Sequence, residues 1–175
     1  MNSKYFIAGL IKELENTPIY KPLKNELDLE QKIIAPCIRG YVGNKLNIQD
    51  TKLDEAVVSH SNPSRWTKSK KDQNIIVFRC KTTGDIFIKH KEIGTVFIEI
   101  KLAKRKGKKT KADSLPEALQ RSIGQSIIAS MKHNYVICFI AHESNRQELP
   151  NDQGKELKEK LWRDYRIALI VRLIK

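Results

Sequence analysis

Cysteine is scarce in this chain. Only Cys37, Cys80 and Cys138 occur, far apart and each within an apolar run. An odd, scattered set argues against a disulfide framework and a zinc site, and fits free thiols in a reducing compartment. The histidines His60, His90, His133 and His142 show no ligand spacing with one another or with the cysteines. No apolar run approaches the ~20 residues of a membrane-spanning helix. The short stretch from Tyr5 to Ile11 meets Lys12, Glu13 and Glu15 at once, so it reads as the first turns of an amphipathic helix, not a secretion signal. These absences predict a cytoplasmic chain with no membrane partner. Internal repeats are also missing.

Acidic residues are in the minority, 20 against 33 lysines and arginines, a net charge of +13. Such an excess repels itself and suits a polyanionic partner, for which nucleic acid is the default. An anionic membrane would call for a long basic amphipathic helix, and none is evident. A solvated lysine-rich surface is the plain alternative. Hydrophobic residues make up 40% of the 175, enough for a packed core in one domain spanning 1–175.

The pattern predicts a short helix from Ser3 to Glu15 and a second starting near Asn25, a good N-cap with acidic residues in the first turn. Pro36 is expected to kink or shorten it. Val57 and Val58 can begin a strand. The polar, basic stretch His60 to Asp72 reads as a connection. Three strands follow as a meander, from Asn74 to Cys80, Asp85 to Lys89 and Thr95 to Ala103, with Gly94 in the second turn. The basic loop Lys104 to Lys111 precedes a helix from about Pro116 to Lys132. Tyr135 to Ala141 reads as a central strand, Lys155 to Tyr165 as a helix and Ile167 to Ile174 as a last strand. The plan is α/β, with a mixed central sheet flanked by helices.

Side chains alternate faces along a strand. Val96, Ile98, Ile100 and Leu102 share one face of the third strand, and Thr95, Phe97, Glu99 and Lys101 share the other. A turn near Glu92 or Ile93 sets Asp85 opposite or diagonal to Glu99, within roughly 5–8 Å. Two carboxylates so close repel, and a divalent cation removes the conflict. Mg²⁺ takes one or two carboxylates together with waters and phosphate oxygens. Lys101 beside it can stabilise or help deprotonate an attacking water. The basic residues just past the strand, Lys104, Arg105, Lys106, Lys108, Lys109 and Lys111, and Arg65 and Lys68 upstream, are candidates for gripping a phosphate backbone. The plainer reading makes Glu99 and Lys101 an exposed pair and Asp85 the end of a turn.

Gly84-Asp85 and Glu99-Ile100-Lys101 resemble the two motifs of the PD-(D/E)-x-K nuclease superfamily, with glycine in place of the name-giving proline. The element order from about 25 to 141 is similar to its restriction-endonuclease-like core, with the helix and strand at 155–174 appended. The segment from Asn25-Glu26 through Ile33-Ile34-Ala35-Pro36 resembles the first helix of the nuclease domain in type I restriction motor subunits and related small nucleases. The resemblance implies an Mg²⁺-dependent deoxyribonuclease, with Mn²⁺ able to substitute. Asp85, Glu99 and Glu26 would hold the metal, with Glu30 the alternative to Glu26. Ser122-Ile123-Gly124-Gln125 is similar to the glutamine-bearing helix of several such nucleases, so Gln125 would orient the lysine or a phosphate. Ala129 stands where an aromatic residue is usual, and Gln120 is the alternative. His60 is a metal ligand by similarity to cap-cleaving viral RNA nucleases of this fold, or else a surface histidine. Trp66 and Tyr41 can stack on bases or anchor loops, and Trp162 and Tyr165 read as packing residues. DNA is the expected substrate, cut by a homodimer to which the last strand can contribute. An RNA endonuclease and a non-catalytic nucleic-acid-binding module are the alternatives.

Overall fold

A computed structural model of the chain describes residues 2–20, 22–77, 80–104, 114–143 and 151–175. Helix α1 (Ser3–Asn16) is capped by Asn2, whose side chain accepts from the Lys4 amide. Its buried residues Phe6, Ile7, Leu10 and Leu14 follow helical spacing. Asn25 caps α2 (Glu26–Leu29) by accepting from Asp28 N. The helix then widens into one π-type turn, Glu30–Ile34, and continues as α3 (Ala35–Leu46) to a left-handed cap at Asn47. Pro36 has no N–H, and its ring would clash with the carbonyl four residues back in a regular α-helix. The wider turn just before it relieves that clash, so the helix neither stops nor shortens at Pro36.

After α4 (Asp50–Ala56) comes β1 (Val57–Ser59). The stretch expected to be a connection is instead helix α5 (Pro63–Gln73). Asn62 accepts from Arg65 N at 3.4 Å, Pro63 sits in the first turn, and Trp66 and Gln73 are buried. The expected strand Asn74 to Cys80 is also corrected. The described residues place β2 (Ile75–Val77) and β3 (Cys80–Thr82) in a separate two-stranded sheet. The true meander is β1, β4 (Ile86–His90) and β5 (Gly94–Ala103). Short as it is, β1 has a partner edge on β4 and is buried throughout, while Ile76 of the apolar run is exposed.

The main sheet has the order β1-β4-β5-β6-β7, with β6 at Tyr135–His142 and β7 at Ile167–Leu173. The β1/β4 and β4/β5 pairs are antiparallel; β5/β6 and β6/β7 are parallel. Helix α6 (Leu115–Ser130) joins β5 to β6, and α7 (Asn151–Tyr165) precedes β7. The protein is thus α/β, a mixed five-stranded sheet flanked by helices. Every residue of β6 is buried, as its unbroken apolar run requires. Val96, Ile98, Ile100 and Leu102 pack with residues of α1 and α3. Phe97 packs on the opposite side, with Val136, Cys138 and Ile140 against α6 and α7. The alternation along β5 therefore divides two cores. No described helix is long and apolar enough to cross a membrane.

Candidate metal centre

Strand β4 is shorter than β5, and that mismatch builds the site. Regular pairing ends at Ile86 opposite Ile98, followed by a bond from Asp85 N to Ile98 O at 2.9 Å. Beyond it the β5 amides of Ile100 and Leu102 meet carboxylates instead of a strand. Asp85 Oδ2 accepts from Ile100 N at 2.7 Å, and Glu26 Oε1 accepts from Leu102 N at 3.4 Å. Gly84 permits this close approach: a Cβ there would lie 2.9–3.0 Å from ring atoms of Phe97. We expect Gly84→Ala to destabilise the protein by ~1–3 kcal/mol, the usual cost of overpacking, read as a lower denaturation midpoint.

The same strand ends bring in His60. Ser59 pairs with Ile86, so one residue further the register sets His60 beside Asp85 and Asp85 beside Glu99. Glu30 approaches from the π-type turn. Its Oε1 accepts from His60 N and its Oε2 lies against His60 Nδ1, both at 2.7 Å. Trp66 packs against the imidazole at a tilt of 41°, ring centroids 4.0 Å apart. Glu30, His60 and Asp85 each offer one ligand atom, and all three atoms lie within 4.8 Å of one another. Two carboxylates and an imidazole at that separation can hold a divalent cation.

Glu99 and Lys101 form the neighbouring pair. Lys101 Nζ is 2.7 Å from Glu99 Oε1 and 3.6 Å from Glu26 Oε2. Burial and the Glu99 charge push the Asp85 carboxyl well above the usual range, against Lys101 and the Ile100 amide. Burial likewise raises Glu30, opposed by His60, and Glu99, opposed by Lys101. Burial alone would lower the Lys101 ammonium, but Glu99, Asp85 and Glu26 outweigh it and hold it above its ordinary value. Lys101 is thus held as a cation and a hydrogen-bond donor here.

A cleft of about 630 Å³ opens on Glu26, Glu30, His60 and Asp85, lined also by Lys24, Lys104 and Arg121. Lys104 Nζ donates to the carbonyls of Leu23 and Lys24 at 2.9 and 2.8 Å, which fixes this side chain at the cleft rim. Arg105, Lys106, Lys108, Lys109 and Lys111 lie outside the described residues. Arg65 pairs with Glu55 at 3.5 Å, away from the cleft lining, and Lys68 is exposed on α5. Gln125 is half-buried on α6 with its Oε1 lacking a hydrogen-bond partner among the described residues; Gln120 is exposed. Tyr41 donates to Phe6 O, and Trp162 stacks on Tyr135.

The structure therefore brings Asp85, Glu99, Lys101 and Glu26 together. Of these, only Asp85 belongs to the group whose atoms converge for a metal, and Glu30 and His60 complete it. Arg121 was not singled out from the sequence, although its spacing four residues before Gln125 puts both on one helix face. No protein-family model matches the chain, and no curated protein or solved structure matches it significantly.

Proposed function

We propose that the chain is a metal-dependent nuclease with a restriction-endonuclease-like core that hydrolyses phosphodiester bonds in DNA. One observation carries this reading: Glu30, His60 and Asp85 converge from three elements beside the Glu99–Lys101 pair, on a cleft rimmed by Lys24, Lys104 and Arg121. The donor set fits a divalent cation, because Asp85 and Glu30 are desolvated carboxyls whose charge a cation would offset. An imidazole among the donors suits Mn²⁺ better than Mg²⁺, which favours oxygen ligands throughout. A bound cation at such a site polarises a phosphoryl oxygen and lowers the pKa of water.

The chain's own residues supply the rest. Glu30 and Trp66 orient His60. Asp85 is fixed by the Ile100 amide. Lys101 presents an ammonium to negative charge developing on the phosphate. The rim cations bind the flanking backbone, and the overall +13 draws a polyanion to the cleft. Free thiols at Cys37 and Cys138 suit a cytoplasmic setting. Cutting both strands of a duplex needs two sites, which a homodimer provides; β7 lies at the sheet edge, where a second copy can reach it.

An RNA endonuclease is the second reading. It is favoured by the place of His60 in the ligand set, as in the cap-cleaving viral RNA nucleases of this fold. Incubation of plasmid DNA, single-stranded DNA and RNA with Mg²⁺ or Mn²⁺ separates the readings. We expect metal-dependent cleavage of DNA that is lost in Asp85→Ala and Lys101→Ala. Cleavage of RNA alone selects the second reading. Tight binding without cleavage in any metal makes the chain a binding module, and cleavage that survives both substitutions removes the proposed site.

A further inference from the structure

Glu26 on the cleft lining and the buried Glu99 beside Asp85 are carboxylates that the Glu30–His60–Asp85 group does not use. Both are engaged by one ammonium. Lys101 Nζ lies 2.7 Å from Glu99 and 3.6 Å from Glu26, and its side chain is only 15% exposed. Lys101 Nζ also donates to Ile100 O at 3.3 Å. The backbone imposes this arrangement. Glu99 and Lys101 are two residues apart on β5, where it is held in register by β6, so their side chains leave the same face together. Glu26 is anchored from its other oxygen by Leu102 N.

An ammonium and a divalent ion compete for the same carboxylate oxygens and repel each other at short range. We infer that the site takes a single divalent cation, at Glu30, His60 and Asp85, and that Lys101 fills the place between Glu99 and Glu26 that a second cation would otherwise take. This inference rests on the cation reading above and adds its stoichiometry. It gives Lys101 a positioning role distinct from any contact with substrate: it keeps Glu99 and Glu26 from drawing the ion away from His60. Removing the ammonium while keeping an apolar stem of similar length leaves two carboxylates without their cation, hard oxygen donors of the kind Mn²⁺ binds.

Mn²⁺ titration of the full chain without nucleic acid tests this, with bound ion counted by the electron-paramagnetic-resonance signal of free Mn²⁺ and by calorimetry. The wild type is expected to bind one ion per chain, and His60→Ala to weaken that ion at least tenfold. Lys101→Met is expected to bind two. Lys101→Arg, which keeps the charge, is expected to bind one, and Lys101→Met combined with Glu26→Gln returns to one. Should Lys101→Met fail to fold, Lys101→Gln replaces it, since its amide can still donate to Glu99. Two ions of similar affinity on the wild type, or one ion on a folded Lys101→Met or Lys101→Gln, overturn the role given to Lys101 and leave the three-ligand site standing. No ion on the wild type overturns both.

Discussion

Asp85→Asn is expected to melt at a higher temperature than the metal-free wild type at neutral pH, and to lose cleavage by ~10³-fold or more. The two effects have one cause. Asp85 is held well above the usual carboxylate range by burial and by the Glu99 charge. A group with a raised folded pKa contributes stability that is fully present below its unfolded value near 3.9 and is lost as pH rises through the folded value. At neutral pH the metal-free protein therefore carries the cost of holding this carboxyl where its charge is disfavoured. Asparagine removes the charge, and its carbonyl oxygen can still accept from Ile100 N. A gain of ~1–2 kcal/mol, about 2–8 °C in a chain of this length, is the expected size. The variant should also lose the acid-side stabilisation of the wild type, so its melting temperature is flatter between pH 4 and 7. Thermal denaturation in EDTA across that range checks the point; a lower midpoint for Asp85→Asn at pH 7 would show the carboxylate to be structural.

The second large effect is stabilisation by metal. Free Mn²⁺ at about one hundred times its dissociation constant should stabilise the folded chain by about 2.7 kcal/mol, because the unfolded chain lacks the assembled ligands. Glu30 lies before α3 and His60 after β1, thirty residues apart, and only the fold brings them within 2.7 Å. Glu30→Gln and His60→Ala should each cancel most of the shift, while Lys68→Ala, on the exposed face of α5, should leave it intact. A shift of equal size in His60→Ala would mean that the ion binds elsewhere.

How much of this was legible in the sequence depends on the range of the contacts. Asp85, Glu99 and Lys101 belong to one hairpin, where strand alternation and a glycine turn suffice to place three side chains; the observed register puts Asp85 beside Glu99 as expected. The central strand was equally plain, since only full burial tolerates the run from Tyr135 to Ala141. The pairing of Glu30 with His60 was not legible, because it depends on β1 docking against β4. Val57–Ser59 is three residues long and carries less apolar signal than the run after Asn74, so the stronger run drew the meander to itself. Helix α5 was missed for a different reason. Its nine positions after Ser64 include four basic residues and a single buried aromatic, a composition that resembles a loop, and the Asn62-Pro63 start is the only strong helix signal.

The widened turn ahead of Pro36 reaches further than the proline itself. One extra residue rotates everything before it by roughly 100° relative to an uninterrupted α-helix. Ile34, Ile38 and Val42 form the stripe that α3 buries, and continuing that stripe backward at regular pitch would set Glu30 in line with it. The offset uncouples the two ends: one helix can serve an oily interior with its later turns and aim an acid at His60 with its earlier ones. The azimuth of Glu30 is thus dictated by a missing amide hydrogen six residues downstream.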